Sequence, residues 1–146
     1  MSSKVMHIAV TCGGYSGEAE ISRKSAAMVV KHMDRARYLP TLVHINRDGW
    51  FAETEGGGRF PIDKGDFSWK DDAGVRHTFD AVFEMVHGTP GEDGRLSAYF
   101  ELIGLPYTAS QPRTLAIGHH KAWTTALLAR RGHPVAKAGI FRKDIL

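Results

Sequence analysis

The chain has 146 residues, 42% hydrophobic and 24% charged, a composition that suits one globular domain around a single core. Its net charge of +3 is scattered in short pairs such as Arg23-Lys24 and Arg130-Arg131. Without a basic stripe, nucleic acid is not an expected partner, whereas a mildly basic chain suits small anionic substrates. A single cysteine, Cys12, excludes an internal disulfide framework and fits a reducing compartment.

No run approaches the roughly 20 apolar residues of a membrane helix. The segment Met1 to Cys12 lacks the build of a signal peptide. The expected location is the cytoplasm, with no membrane partner.

Val5 to Thr11 is apolar and partly β-branched and reads as a buried strand, with Cys12 as a buried, inert thiol. Gly13-Gly14 predicts a turn, and Ser22 is the expected N-cap of a helix. Ala26, Val29, Val30 and Met33 fall on one face of that helix. Tyr38 to Ile45 predicts a second strand, closed by the turn signal Asn46-Arg47-Asp48-Gly49. Trp50 to Thr78 is polar and rich in glycine, with hairpin-like pieces around Trp50, Phe67-Ser68-Trp69 and Val75, and reads as an excursion from the main sheet.

Phe79 to Val86 returns to a buried strand, followed by the loop His87 to Gly94. Leu96, Tyr99, Phe100 and Ile103 form the apolar side of a helix stopped at Gly104, and Leu105 to Thr108 reads as a short edge strand. Thr114–Ile117 and Lys121–Arg131 are expected to be two further helices. Alternating strands and helices imply an α/β fold, a Rossmann-like, mostly parallel sheet with helices on both faces. Ligands of such sheets sit at the C-terminal ends of the strands, where both glycine loops lie.

Gly13 to Ser22 is neither a dinucleotide fingerprint nor a Walker A loop, since its glycines are wrongly spaced and no Gly-Lys-Ser/Thr follows. Its acids Glu18 and Glu20 would repel phosphate. They suit a substrate ammonium, or else simply favour the positive end of the next helix. In the second loop, His87 can donate a hydrogen bond to a carboxylate or carry a proton, or be a satisfied structural histidine. Glu92-Asp93 reads best as a cap of the helix after it.

Three motifs in order carry a family resemblance: Gly13-Gly14-Tyr15-Ser16-Gly17-Glu18-Ala19-Glu20-Ile21-Ser22, the run His87-Gly88-Thr89-Pro90-Gly91-Glu92-Asp93-Gly94, and Gly104-Leu105-Pro106-Tyr107-Thr108 with Lys121 downstream. The chain resembles the N-terminal part of D-alanine–D-alanine ligases, of the ATP-grasp superfamily. The resemblance implies a pre-ATP-grasp domain over residues 1–118 and the start of the central ATP-grasp domain over 119–146. It implies the ATP-dependent joining of two D-alanines through an acyl phosphate, for peptidoglycan precursors, in a homodimer.

By motif position Glu18 would hold the ammonium of the first D-alanine, with Gly14 and Ser16 beside it. His87 would help place the second D-alanine, and Lys121 would reach the ATP phosphates. No metal ligand is expected in this chain. Family members are about twice this long, and the acids that bind Mg2+ would lie in the part not represented, so ligation by this chain alone is not expected. The alternatives are a D-alanine–D-lactate ligase and a non-catalytic dimerisation module. Three departures stand out: His119-His120 before Lys121 in place of an acid or amide, Ser97-Ala98 in place of Gln-Gly, and Ala109 in place of a glycine. The adjacent His119 and His120 point apart and do not suggest a metal.

Overall fold

A computed structural model describes residues 4–140. The last stretch of the expected second domain, 141–146, lies outside the described residues. Strand β1 (Met6–Gly13) leads into helix α1 (Ala19–His32) and strand β2 (Tyr38–Ile45). Four short strands follow, β3 (Trp50–Glu53), β4 (Arg59–Asp63), β5 (Ser68–Lys70) and β6 (Arg76–His77), and then β7 (Ala81–Glu84). Helices α2 (Arg95–Leu102), α3 (Pro112–His119) and α4 (Lys121–Arg130) complete the order.

One seven-stranded sheet runs β6-β5-β4-β3-β2-β1-β7. Its parallel part is β2-β1-β7, with Ala9 of β1 opposite Thr41 and Val82. The α/β class is as expected. The segment 50–78 differs from its reading as an excursion: it continues the sheet, as β3 pairs antiparallel with β2 and β4, β5 and β6 follow by hairpins. The free edge of β2 needs hydrogen-bond partners, and a hairpin chain supplies them locally. On the other edge, Val82 N–H donates to Pro106 O (2.8 Å) and Thr108 N–H to Val82 O (3.1 Å), so Leu105 to Thr108 is the short edge segment that was expected.

Alternation along β1 serves two cores. Ile8, Val10 and Cys12 pack with Ala26, Val29 and Val30 of α1 and with Met33 just after it. Ala9 faces the opposite side with Val43, Ile45, Val82, Leu96 and Phe100. Helices thus cover both faces. The hairpins curl over the second core: Phe67 meets Phe100 edge to face at 5.1 Å, and Tyr99 donates to Lys64 O (3.0 Å). Phe67 holds this place at φ 60, a left-handed backbone for which its burial compensates.

Ser22 is not the helix cap. α1 begins earlier, with Glu18 at the N-cap position, and Ser22 is fully buried inside the first turns. Its hydroxyl accepts from Gly13 N–H (2.9 Å) and donates to Met85 O (2.5 Å). A polar residue at that position is read locally as a cap, but here the tertiary neighbours claim both hydrogen-bonding functions. Ser22→Ala leaves a buried N–H and a carbonyl without their partner and is expected to cost about 1–3 kcal/mol. Urea unfolding of the variant against the parent measures it.

Candidate functional site

The strand-end loops after β1 and β7 touch along their length. Gly14 N–H donates to Ile45 O (2.8 Å) and Tyr15 N–H to Thr89 O (2.8 Å). The Ser16 hydroxyl donates to His87 O (3.1 Å). Backbone approaches this closely only where side chains are absent. Gly14 sits at φ 111, and a Cβ there would stand 2.9 Å from His87 O. Gly88 sits at φ 69, and its Cβ would stand 2.7 Å from Ser16 Oγ and 3.8 Å from Glu18 Oε2.

The structure therefore brings Gly14, Ser16, Glu18 and the His87–Gly94 loop together at the C-terminal edge of the parallel strands. Glu18 is exposed at the start of α1, and its side chain makes no capping bond. Among the described residues no cation lies within ion-pair distance of it, whereas Glu20 is bound to Lys24 (2.8 Å) one turn on. Of the two acids, Glu18 alone keeps its carboxylate available. His87 is half-buried.

Aromatic groups that the sequence reading did not single out brace the first loop. Trp50 Nε1 donates to the Tyr15 hydroxyl (3.1 Å), and Arg47 lies 4.9 Å over the Tyr15 ring. Lys64 covers the Trp50 ring at 4.7 Å. The aromatic richness of 50–78 was the available signal, but only folding shows that it reaches Tyr15.

In the second loop, Asp93 accepts from the Thr89 hydroxyl (2.5 Å) and from Arg95 N–H (3.3 Å) at the start of α2, while Glu92 is exposed. The helix-capping reading thus fits Asp93 and not Glu92. Lys121 opens α4 and lines a cavity of about 520 Å³ with Glu92, Thr114, Gly118 and His119. His120 takes the N-cap of α4: its Nδ1 accepts from Trp123 N–H (3.3 Å), and its ring stacks on Trp123 at 4.4 Å. The imidazole thus satisfies one of the unpaired backbone donors at the start of α4. Ala109 avoids positive φ, as the missing glycine requires. No group of three or more His, Cys, Asp or Glu among the described residues could hold a metal ion.

Behind the first loop, Cys12 Sγ lies 3.5 Å from His44 Nδ1, and His44 Nε2 lies 3.1 Å from Glu53 Oε2. The set has the order of a nucleophile, a base and an orienting acid. Burial overrides it. Cys12 is fully buried, which pushes its thiol up to about 12, and burial also lowers the His44 pKa, so the ring is neutral. A larger apolar cavity, about 590 Å³, lies at the opposite ends of the strands among Met6, Ile8, Met33, Tyr38 and Phe83. No described helix is long and apolar enough to cross a membrane.

Residues 7–110 match the family described as the D-ala D-ala ligase N-terminus. The D-alanine–D-alanine ligase of Flavobacterium psychrophilum is 40% identical over 138 residues, 94% of this chain and 42% of that protein. The solved structure of the D-alanine–D-alanine ligase from Coxiella burnetii superposes with a TM-score of 0.81 at 35% identity, over 90% of this chain and 44% of that one. The VanG D-Ala:D-Ser ligase from Enterococcus faecalis superposes with a TM-score of 0.77 at 25% identity, over 92% and 44%. The chain thus spans less than half the length of these proteins.

The inert reading of Cys12 has a direct check. In the native chain at about pH 8 a disulfide reagent should leave the thiol unmodified, and one thiol per chain should react once denaturant is added. Rapid modification without denaturant would mean that the strand end opens.

Proposed function

This chain belongs to the D-alanine–D-alanine ligase family, and from that premise we propose that it forms the amino-acid-binding part of an enzyme that joins two D-alanines at the expense of ATP. The observation that carries the reading is the contact between the Glu18 loop and the His87 loop at the ligand edge of the sheet. Glu18, without a cation partner among the described residues, pairs with the ammonium of the first D-alanine. Gly14 and Ser16 hold the loop so that this carboxylate faces Gly88. His87, on the facing loop, donates a hydrogen bond to the second D-alanine and orients it. Clamping both amino acids in one orientation is the main service a protein renders to such a condensation.

ATP supplies the phosphoryl group that activates one carboxylate. Lys121, beside Thr114 and Gly118 in its cavity, suits the anionic phosphates, and the His120 cap fixes the helix turn from which it projects. Mg2+ belongs with those phosphates, and its ligands are assigned to the part of the relatives that this chain does not span. Residues 1–118 act as the substrate-binding unit and 119–146 as the beginning of the ATP-binding unit. Cytoplasmic location, homodimer formation, a role in peptidoglycan synthesis and inactivity of this chain by itself belong to the same reading.

In a polypeptide that includes the ATP-binding remainder, Glu18→Gln should weaken the first D-alanine site by about 2–5 kcal/mol, the loss for an ammonium left unpaired. Steady-state kinetics with D-alanine read this as a raised KM for the first site, and unchanged kinetics would remove Glu18 from it. The VanG structure shows the same fold in a ligase named for a different second substrate, so the acceptor is a separate question. D-alanine is proposed as acceptor, ahead of D-lactate. In direct competition at neutral pH the dipeptide should dominate over the ester product, and a predominant ester would reassign the enzyme.

A further inference from the structure

Glu84 ends β7, just before the loop that carries His87, and it does not sit there as a surface acid. Its backbone N–H donates to Thr108 Oγ1 (3.1 Å), which ties it to the edge segment. Its carboxyl group lies between helix α2 and the loop: Ser97 Oγ, fully buried, stands 3.4 Å from Oε2. On the loop side, a Cβ at Gly91 would fall 2.8 Å from Oε1 and 2.5 Å from Val86 O. The backbone at Gly91 therefore rests against the carboxyl group of Glu84. From β1, Thr11 stands opposite Glu84 in register, with a buried hydroxyl that has no hydrogen-bond partner among the described residues.

The titratable groups around it do not offset a negative charge. Asp93 faces it from the loop, and Tyr107 from the edge segment is bound to Glu101 (2.8 Å). The guanidinium of Arg95 is directed to Asp93 (3.4 Å), and α2 offers only the Ser97 hydroxyl. Among the described residues no cation lies within ion-pair distance of Glu84. Burial, with a smaller push from Asp93, raises its carboxyl group to about 7, against a lowering by the Ser97 hydrogen bond.

We propose that Glu84 is a positioning residue for the amino-acid site: its uncharged carboxyl group is the floor on which the His87–Gly94 loop rests, and ionising it loosens that loop from the Glu18 loop and weakens D-alanine binding. The inference rests on reading the two loops as the D-alanine site. A carboxylate formed against Gly91 meets no cation among the described residues, and its hydration competes with the contact between the carboxyl group and the loop backbone. The sign follows from linkage. The folded chain holds this proton to higher pH than the unfolded chain, so the stabilisation is complete at acidic pH and is lost as pH rises towards about 7.

Amide hydrogen exchange of the 146-residue chain, corrected for the intrinsic rate, tests this between about pH 5.5 and about pH 8.5. Protection of Tyr15, Glu92 and Gly94 should fall on the order of tenfold across that range, and Val10 and Val43 in the β1–β2 ladder, which exchange on unfolding of the whole chain, should fall by no more than that. Glu84→Gln, always neutral and of the same shape, should keep the protected level throughout, whereas Glu84→Ala should lose it throughout. The carboxyl carbon resonance of Glu84 in the unmutated chain should titrate with the same midpoint, a readout that needs no variant to fold. Flat protection in the unmutated chain, or pH dependence that survives in Glu84→Gln, overturns the proposal. Titration calorimetry with D-alanine over the same range, on a polypeptide that includes the ATP-binding remainder, separates the two readings. A loop that titrates in a chain that binds no D-alanine removes the amino-acid site but leaves Glu84 as the floor of the loop. D-alanine binding with a flat loop profile removes only the role of Glu84.

Discussion

Two strand-end loops that cannot stand alone hold each other in place, and the geometry of the ligand edge depends on that contact. The Ser22 hydroxyl joins Gly13 at the end of β1 to Met85 beyond the end of β7. Tyr15 and Ser16 then bind the backbone of the second loop at Thr89 and His87. Each of these bonds gives a partner to a backbone N–H or carbonyl of a loop or strand end. Glycine at positions 14 and 88 lets the two backbones come together, because a side chain at either place would overlap the facing loop.

The surroundings of the contact are graded in polarity. On the side facing α1, Cys12 and His44 are held uncharged by burial. On the side facing α2, Glu84 lies under the loop without a cation. At the mouth, the Glu18 side chain is exposed, away from any cation among the described residues. This order suits the amino-acid site proposed above, since charge on the rim would attract an ammonium while an uncharged floor would not compete for it.

The hairpins 50–78 do more than lengthen the sheet. They close the second core over α2 through Phe67 and Phe100, and they bring Trp50 to the hydroxyl of Tyr15. The first loop is thus fixed from two directions, by the second loop and by an aromatic brace. Helices α3 and α4 contribute no buried residue, and Trp123, Leu127 and Leu128 stay exposed.

The order of strands and helices was legible in the residues themselves, because apolar runs and 3.6-residue spacing are local signals. So were the two glycine loops and the family motifs within them, since turns and close backbone approach demand glycine wherever the chain folds back. Glu84, inside the apolar run Val82-Phe83-Glu84-Met85-Val86, carried no local sign that it would lie under the second loop. Tertiary structure alone decided the rest. Ser22 looked like a cap and became a bridge, and segment 50–78 looked like an excursion and became part of the sheet. His120 looked like a departure and became a helix cap. In each case partners distant in sequence, or packing that no local pattern encodes, decided where a hydrogen-bonding group was satisfied.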